Sequence, residues 1–145
     1  DDYIELGPNI TIKVPLTPEG LKVCKDLSSD DVAVNVTLCF STAQAILAAK
    51  AGATYVSPFV GRVYDQQFDG IQLIEEISDV YATHKQKTQI LAASIRDVHQ
   101  VASCFRVGAD ICTIPSKIFS GMYKHILTDQ GIAKFDEDWT KLVGG

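Results

Sequence analysis

The sequence alternates short β-branched runs with amphipathic runs, and this alternation is what most restricts its possible folds. Runs such as "NITIKVP" and "DVAVNVTLC" place apolar residues two apart and predict strands, whereas the runs between them have helical spacing. Strands that alternate with helices at this spacing pair in parallel through right-handed crossovers. We predict five strands, at residues 9–15, 31–39, 53–60, 88–94 and 109–115.

Capping residues mark where the predicted helices begin and end. Thr17 suits an N-cap before Pro18, Ser41 and Gln44 form a capping-box pattern, and Asp97 suits the N-cap of the helix that follows it. After a polar loop, an apolar stripe predicts a helix over residues 70–84. The last two helices are predicted at 116–127 and 131–143.

The predicted fold class is α/β, with residues 1–145 in a single domain, since no linker or low-complexity stretch divides them. Five βα units suit either an open doubly wound sheet or a (β/α)8 TIM barrel. The barrel is favoured because polar residues recur near the C-terminal ends of several strands, where barrel enzymes build their sites. A barrel has eight units of roughly 30 residues. We therefore expect this chain to cover about strands 4–8 and the C-terminal helix, with three units missing before Asp1.

Composition excludes several classes of partner. The net charge of −5 argues against a broad nucleic-acid surface, although it leaves room for a local cationic pocket. No apolar run approaches the roughly 20 residues that span a bilayer, and no signal peptide opens the chain, so we expect a cytoplasmic protein with no membrane partner. The histidines are widely spaced, and the four cysteines fit no CxxC pattern and suit reduced core positions. No metal is expected.

Alternation along the strands gathers polar groups on one predicted face. This set consists of one lysine and four small polar residues: Lys13, Asn35, Thr37, Ser57 and Ser94. Arg62 and Arg96 lie in the loops at the rim. Each has an ordinary alternative, since a strand lysine can reach solvent and loop arginines are usually surface charges. Their recurrence at the same end of neighbouring strands favours a site.

This set of residues is suited to covalent chemistry on a sugar ketone. An ammonium group taken out of water and placed near other cations loses its proton more readily. The neutral amine can attack a ketone and form an iminium ion, which accepts electrons during carbon–carbon cleavage. Thr37 and Asn35 could order water, and two arginines with Ser94 could bind a phosphate. Such chemistry needs no metal or other cofactor.

Four blocks, "IKVPLTPEGL", "VNVTLCFSTAQA", "AGATYVSPFVGR" and "ILAASIRD", resemble the transaldolase family, in particular its small subfamily shared with fructose-6-phosphate aldolase. The similarity extends to the final "FDEDW" helix. The resemblance implies that Lys13 is the Schiff-base lysine, that Thr37 positions the catalytic water, and that Asn35 holds the hydroxyls of the bound donor. It also implies that the remaining residues contact substrate: Ser57 and Phe59 at the dihydroxyacetone end, and Arg62, Ser94 and Arg96 at the phosphate.

Phe59 departs from the aldolase branch, which has a tyrosine that takes part in proton transfer at the matching position. Phenylalanine cannot transfer a proton, so the transaldolase branch is favoured. The family's catalytic carboxylates would lie upstream of Asp1, and Asp1, Asp2 and Glu5 do not match them.

The resemblance therefore implies a transaldolase that moves a dihydroxyacetone unit between phosphorylated sugars in the pentose phosphate pathway. Two alternatives stay open: a fructose-6-phosphate aldolase that releases free dihydroxyacetone, and a non-catalytic sugar-phosphate binding module. Small family members form ring-based homo-oligomers in which the C-terminal helix packs on a neighbour. Phe135, Trp139 and Leu142 have the spacing for such a contact, or for packing on their own barrel.

Overall fold

The computed structural model describes residues 3–144, apart from the side chain of Leu6. Asp1 and Asp2, which the resemblance leaves without a catalytic role, lie outside the described residues. Five parallel strands form one sheet: β1 (Thr11–Pro15), β2 (Ala33–Cys39), β3 (Tyr55–Pro58), β4 (Gln89–Ala92) and β5 (Ile111–Cys112). Their order in the sheet is their order in the chain. This is the order of consecutive βα units in a barrel, and it confirms the predicted α/β class.

Helices follow the strands, after a short 3-10 turn at Ile4–Leu6. In chain order they are α1 (Pro18–Ser29), α2 (Thr42–Lys50), α3 (Val60–Asp65), α4 (Gly70–Thr83), α5 (Val98–Arg106), α6 (Ser116–Gly121) and α7 (Ile126–Val143). None of these helices, within residues 3–144, is long and apolar enough to cross a membrane.

The predicted N-caps of three helices are confirmed. Thr17 Oγ1 accepts a hydrogen bond from the Gly20 amide at 3.0 Å, and Ser41 and Asp97 cap α2 and α5 in the same way. Asp69 caps α4, which the sequence did not predict. Its carboxylate accepts hydrogen bonds from the amides of Gln72 and Ile71, and these donors lower the pKa of Asp69.

Alternating apolar residues of the strands form the core together with the inner sides of the helices. The strand residues of this core include Val14, Val34, Val36, Val56 and Ile90. The buried Tyr81 hydroxyl donates to the Ala45 carbonyl oxygen at 2.6 Å and so ties α4 to α2. All four cysteines are free thiols, and burial raises the pKa of Cys39 to about 12, which keeps it protonated.

Several predicted boundaries are wrong. The strand predicted at 109–115 covers only Ile111–Cys112, and the helix predicted at 116–127 ends at Gly121. Residues 60–65 form α3, where the sequence predicted the end of a strand and a polar loop. The final helix begins at Ile126 rather than at Gly131, because the chain turns at residues 122–125 and the His125 side chain caps α7.

Backbone contacts divide the chain into two compact units, Asp1–Ile114 with the whole sheet and Pro115–Gly145 with α6 and α7. The prediction of a single domain over residues 1–145 stays a prediction.

Candidate active site

Strand register brings the predicted polar residues together on one face of the sheet. Lys13 on β1 is aligned with Asn35 on β2, and Thr37 on β2 is aligned with Ser57 on β3. Aligned residues of parallel strands share a face, and the apolar residues between them occupy the other. The structure therefore places these four side chains on one face of the sheet, opposite the buried valines. We call it the inner face.

A hydrogen bond connects two members of this set. The Ser57 hydroxyl, 1% exposed, donates to Asn35 Oδ1 at 2.7 Å. Because that bond uses the amide oxygen, it leaves both N–H groups of Asn35 Nδ2 as possible donors. An amide held this way can donate to the hydroxyl of a ligand on the inner face.

Thr37 carries an unsatisfied buried group. Its Oγ1 is buried and has no hydrogen-bond partner among the described residues. A buried hydroxyl without a partner is costly, and such groups in native proteins usually mark a bound water or a functional position. Thr37 can therefore bind a water or a ligand hydroxyl beside Asn35 and Ser57.

Lys13 is exposed, so the burial expected from the sequence is absent in the part of the chain that the structure describes. The reason is its position on β1, which is an edge strand of the five-stranded sheet. Among residues 3–144, β2 is the only strand beside it. Desolvation of the Lys13 amine thus depends on whatever covers the free edge of β1.

The two predicted arginines line one depression at the rim. This depression has a volume of about 500 Å³, and its lining residues are Phe40, Arg62, Val63, Asp65, Gln66, Phe68 and Arg96. The Arg62 guanidinium carbon lies 5.0 Å from the centre of the Phe59 ring, which is a cation–π distance. Phe40 contacts the same ring edge-on, with the ring centres 5.7 Å apart.

Helix α3 carries Arg62 and is fixed to the segment that follows β4. The amides of Val60 and Gly61 donate to the carbonyl oxygens of Ala93 and Ser94 at 3.0 and 3.1 Å. A Cβ at Gly61 would collide with the Ser94 carbonyl oxygen and lie 2.6 Å from Arg96 Nε. This close approach, which only glycine permits here, brings Arg62 and Arg96 to one depression.

Ser94 departs from the predicted alternation. Strand β4 ends at Ala92, and Ser94 has a φ of +61°, a left-handed conformation that is uncommon for serine. Its side chain is half-buried, and its position follows from this local turn rather than from strand parity.

Two features of the site were missed by the sequence reasoning. Helix α3 lacks a side-chain N-cap bond, so it carries no start signal. Asp65 pairs with Arg96, and no sequence motif indicates this pairing. Among residues 3–144, no group of three or more His, Cys, Asp or Glu side chains could hold a metal ion.

A sequence model of the Transaldolase/Fructose-6-phosphate aldolase family matches residues 2–145 of the chain. Among similar curated proteins, the probable transaldolase of Paracoccus denitrificans is 54% identical over 141 residues, which cover 97% of this chain and 65% of that protein. The probable transaldolase of Caulobacter vibrioides is 50% identical over 135 residues, with coverages of 93% and 62%. The chain thus spans somewhat less than two thirds of the length of these relatives.

Solved structures with a similar fold are more distant in sequence. A mutant flavocytochrome b2 with benzoylformate gives a TM-score of 0.53 at 16% identity, over 65% of this chain and 26% of that one. A mutant mandelate oxidase gives 0.50 at 19% identity, over 65% and 29%. At these identities the similarity concerns the fold alone.

Replacement of Gly61 by alanine tests the close approach of α3 to the Ser94 segment. We expect Gly61→Ala to lower the free energy of unfolding by about 1–3 kcal/mol, because the new methyl group overlaps backbone that must shift. Gly131→Ala is the control, since a Cβ there meets no atom of the described residues within 4 Å and should raise stability by about 0.5–1 kcal/mol. Urea denaturation measures both, and a Gly61→Ala protein as stable as the unsubstituted one would contradict this geometry.

Proposed function

Because the chain belongs to the transaldolase/fructose-6-phosphate aldolase family, we propose that the protein is a transaldolase. It transfers a dihydroxyacetone unit from a ketose phosphate, such as sedoheptulose 7-phosphate or fructose 6-phosphate, to an aldose phosphate. The acceptor is glyceraldehyde 3-phosphate or erythrose 4-phosphate, and the reaction belongs to the pentose phosphate pathway. The enzyme is of the class that forms a Schiff base with lysine.

The observation that supports this proposal best is the alignment of Lys13 with Asn35, next to the Ser57–Asn35 hydrogen bond. Beside them lies the Thr37 hydroxyl, which has no hydrogen-bond partner among residues 3–144. An amine, an amide donor and a free hydroxyl on one face are the groups that a ketone with neighbouring hydroxyls requires. The buried valines of these strands lie on the other face of the sheet.

The proposed reaction begins with attack of the neutral Lys13 Nζ on the C2 carbonyl carbon of the ketose. Loss of water from the carbinolamine gives an iminium ion, which draws in the electron pair of the breaking C3–C4 bond. The aldose leaves as an aldehyde, and a proton passes from its C4 hydroxyl to a general base. The dihydroxyacetone unit stays on Lys13 as an enamine and attacks the acceptor aldehyde, whose oxygen takes the proton back from the base. Hydrolysis of the resulting iminium ion then frees Lys13 and the new ketose phosphate.

The remaining inner-face residues position the reacting groups in this proposal. Thr37 holds the water that leaves and returns during formation and hydrolysis of the iminium ion. Asn35 and Ser57 bind hydroxyls of the dihydroxyacetone unit, and Phe59 lies beside it. Buried polar groups bonded to one another restrict such a unit to one orientation, which favours attack in a single geometry.

The depression lined by Arg62 and Arg96 is the proposed binding site of the substrate phosphate. Guanidinium groups bind phosphate oxygens through paired hydrogen bonds, and two of them balance a dianion. The Phe59 ring supports Arg62, and Ser94 lies at the turn that precedes Arg96. We propose that Ser94 donates a further hydrogen bond to the phosphate.

Substitution of Lys13 tests the covalent step. We expect Lys13→Ala to abolish transfer activity and to prevent the mass gain that borohydride produces when the full-length protein is incubated with fructose 6-phosphate. The control is Lys22→Ala, which removes an exposed lysine of α1 and should trap the sugar as the unsubstituted protein does. Turnover of Lys13→Ala at the unsubstituted rate would refute the mechanism.

A fructose-6-phosphate aldolase is the second candidate, since the matching family includes that activity. It is disfavoured by Phe59, which cannot supply the proton that free dihydroxyacetone needs on release. We expect fructose 6-phosphate without an acceptor aldehyde to give at most one turnover per site, whereas added erythrose 4-phosphate starts steady transfer. Continuous formation of dihydroxyacetone without acceptor would instead identify an aldolase. Phosphate-dependent sugar binding without any adduct would identify a binding module.

The proposal has three further parts: the partners are phosphorylated sugars, the location is cytoplasmic, and the protein is a homo-oligomer. The apolar stripe of Phe135, Trp139 and Leu142 on α7 supports the last of these, because such a stripe needs an apolar surface to pack against.

A further inference from the structure

We propose that Asp65 is a positioning residue that holds Arg96 in place for the phosphate of the substrate. This inference deepens the proposed function, since it concerns the phosphate end of the same site. It assigns a role to an acidic residue beside a site for an anion, where a carboxylate would at first sight oppose binding.

Asp65 is the last residue of α3, and Arg62 lies three residues before it on the same helix. Side chains at this spacing lie on the same side of a helix. Both line the rim depression, together with Arg96 from the segment after β4. Asp65 Oδ2 accepts a hydrogen bond from Arg96 Nη2 at 2.7 Å, a charge-assisted bond of short length.

This ion pair is not explained by a contribution to the stability of the fold. Both side chains are 53% exposed, and ion pairs at such exposure contribute little to the free energy of unfolding. The pair acts instead on the conformation of Arg96, a long side chain with many rotamers. Gly61 borders the same side chain closely, since Arg96 Nε lies 2.6 Å from the position that a Cβ of residue 61 would take.

Electrostatics explain why Arg96 needs a partner. Arg62 and Arg96 face one depression, and two guanidinium groups repel each other and favour conformations that separate them. A carboxylate on Arg96 offsets this repulsion before the phosphate arrives. It uses one Nη2 donor of the five N–H groups of the guanidinium, so the others can still bind phosphate oxygens.

The opposite hypothesis is that Asp65 competes with the phosphate for Arg96. The two hypotheses differ in sign. If Asp65 positions Arg96, its removal weakens phosphate binding. If Asp65 competes, its removal strengthens phosphate binding, and the amide variant Asp65→Asn strengthens it as well.

Calorimetric titration of the full-length protein with inorganic phosphate separates these outcomes. We expect Asp65→Ala to raise the Kd for phosphate about three- to tenfold, the effect of losing one ordinary hydrogen bond. Asp65→Asn retains an oxygen acceptor of the same shape but loses the charge that offsets the repulsion between the arginines, so it should raise the Kd by less than Asp65→Ala does. Asp79→Ala, which removes an exposed aspartate from α4, controls for net charge and should leave the Kd unchanged. Arg62→Ala is the reference for a weakened site.

An unchanged or lower Kd in Asp65→Ala would overturn the proposal, as would a lack of saturable phosphate binding by the unsubstituted protein. Kinetics provide a second measurement: Asp65→Ala should raise KM for fructose 6-phosphate by the same factor and leave kcat within about twofold, because the interaction precedes the chemical step. If the unsubstituted protein forms the Lys13 adduct but Asp65→Ala binds phosphate with unchanged affinity, only the role of Asp65 is refuted. If Asp65→Ala binds phosphate more weakly but the unsubstituted protein forms no Lys13 adduct, only the transaldolase proposal is refuted.

Discussion

Parallel pairing of β1, β2 and β3 is the constraint on which the candidate site depends. Hydrogen bonds between these strands align Lys13 with Asn35 and Thr37 with Ser57. Side chains alternate along a strand, so a slip of one residue would move Lys13 to the face of the buried valines and expose Val14 instead. The apolar core therefore fixes the register, and the register places the amine beside its polar neighbours.

A second constraint acts at the rim, where α3 follows β3 and is hydrogen-bonded to the segment that follows β4. Two backbone amides of α3 donate to carbonyl oxygens of residues 93 and 94, and Gly61 leaves room for the approach. Arg62 and Arg96 come from different βα units, yet this contact brings both to one depression. The polar inner face and the cationic rim thus arise from the same strand ends, as in barrel enzymes generally.

Much of this arrangement could be predicted because it depends on local signals. The caps at Thr17, Ser41 and Asp97 are read directly from the sequence, and the alternation on β2 separates Asn35 and Thr37 from the valines. The family's (β/α)8 barrel agrees with the observed strand order.

Helix α3 was not predicted because it is six residues long and has no side-chain cap. Ser94 and Leu38 both have a positive φ, and the register of β2 shifts at Leu38. Neither is a glycine, so the sequence does not indicate these left-handed conformations. The exposure of Lys13 and the ion pair between Arg96 and Asp65 both depend on tertiary neighbours. No local sequence pattern encodes such neighbours.

A crystal structure of the full-length protein after reduction with borohydride in the presence of fructose 6-phosphate tests the central claim most directly. The account predicts a single bond from Lys13 Nζ to the C2 carbon of the sugar, hydroxyls within hydrogen-bond distance of Asn35 and Ser57, and, where the uncleaved sugar is trapped, a phosphate between Arg62 and Arg96. Density for the sugar on a different lysine, or a phosphate bound away from both arginines, would contradict it.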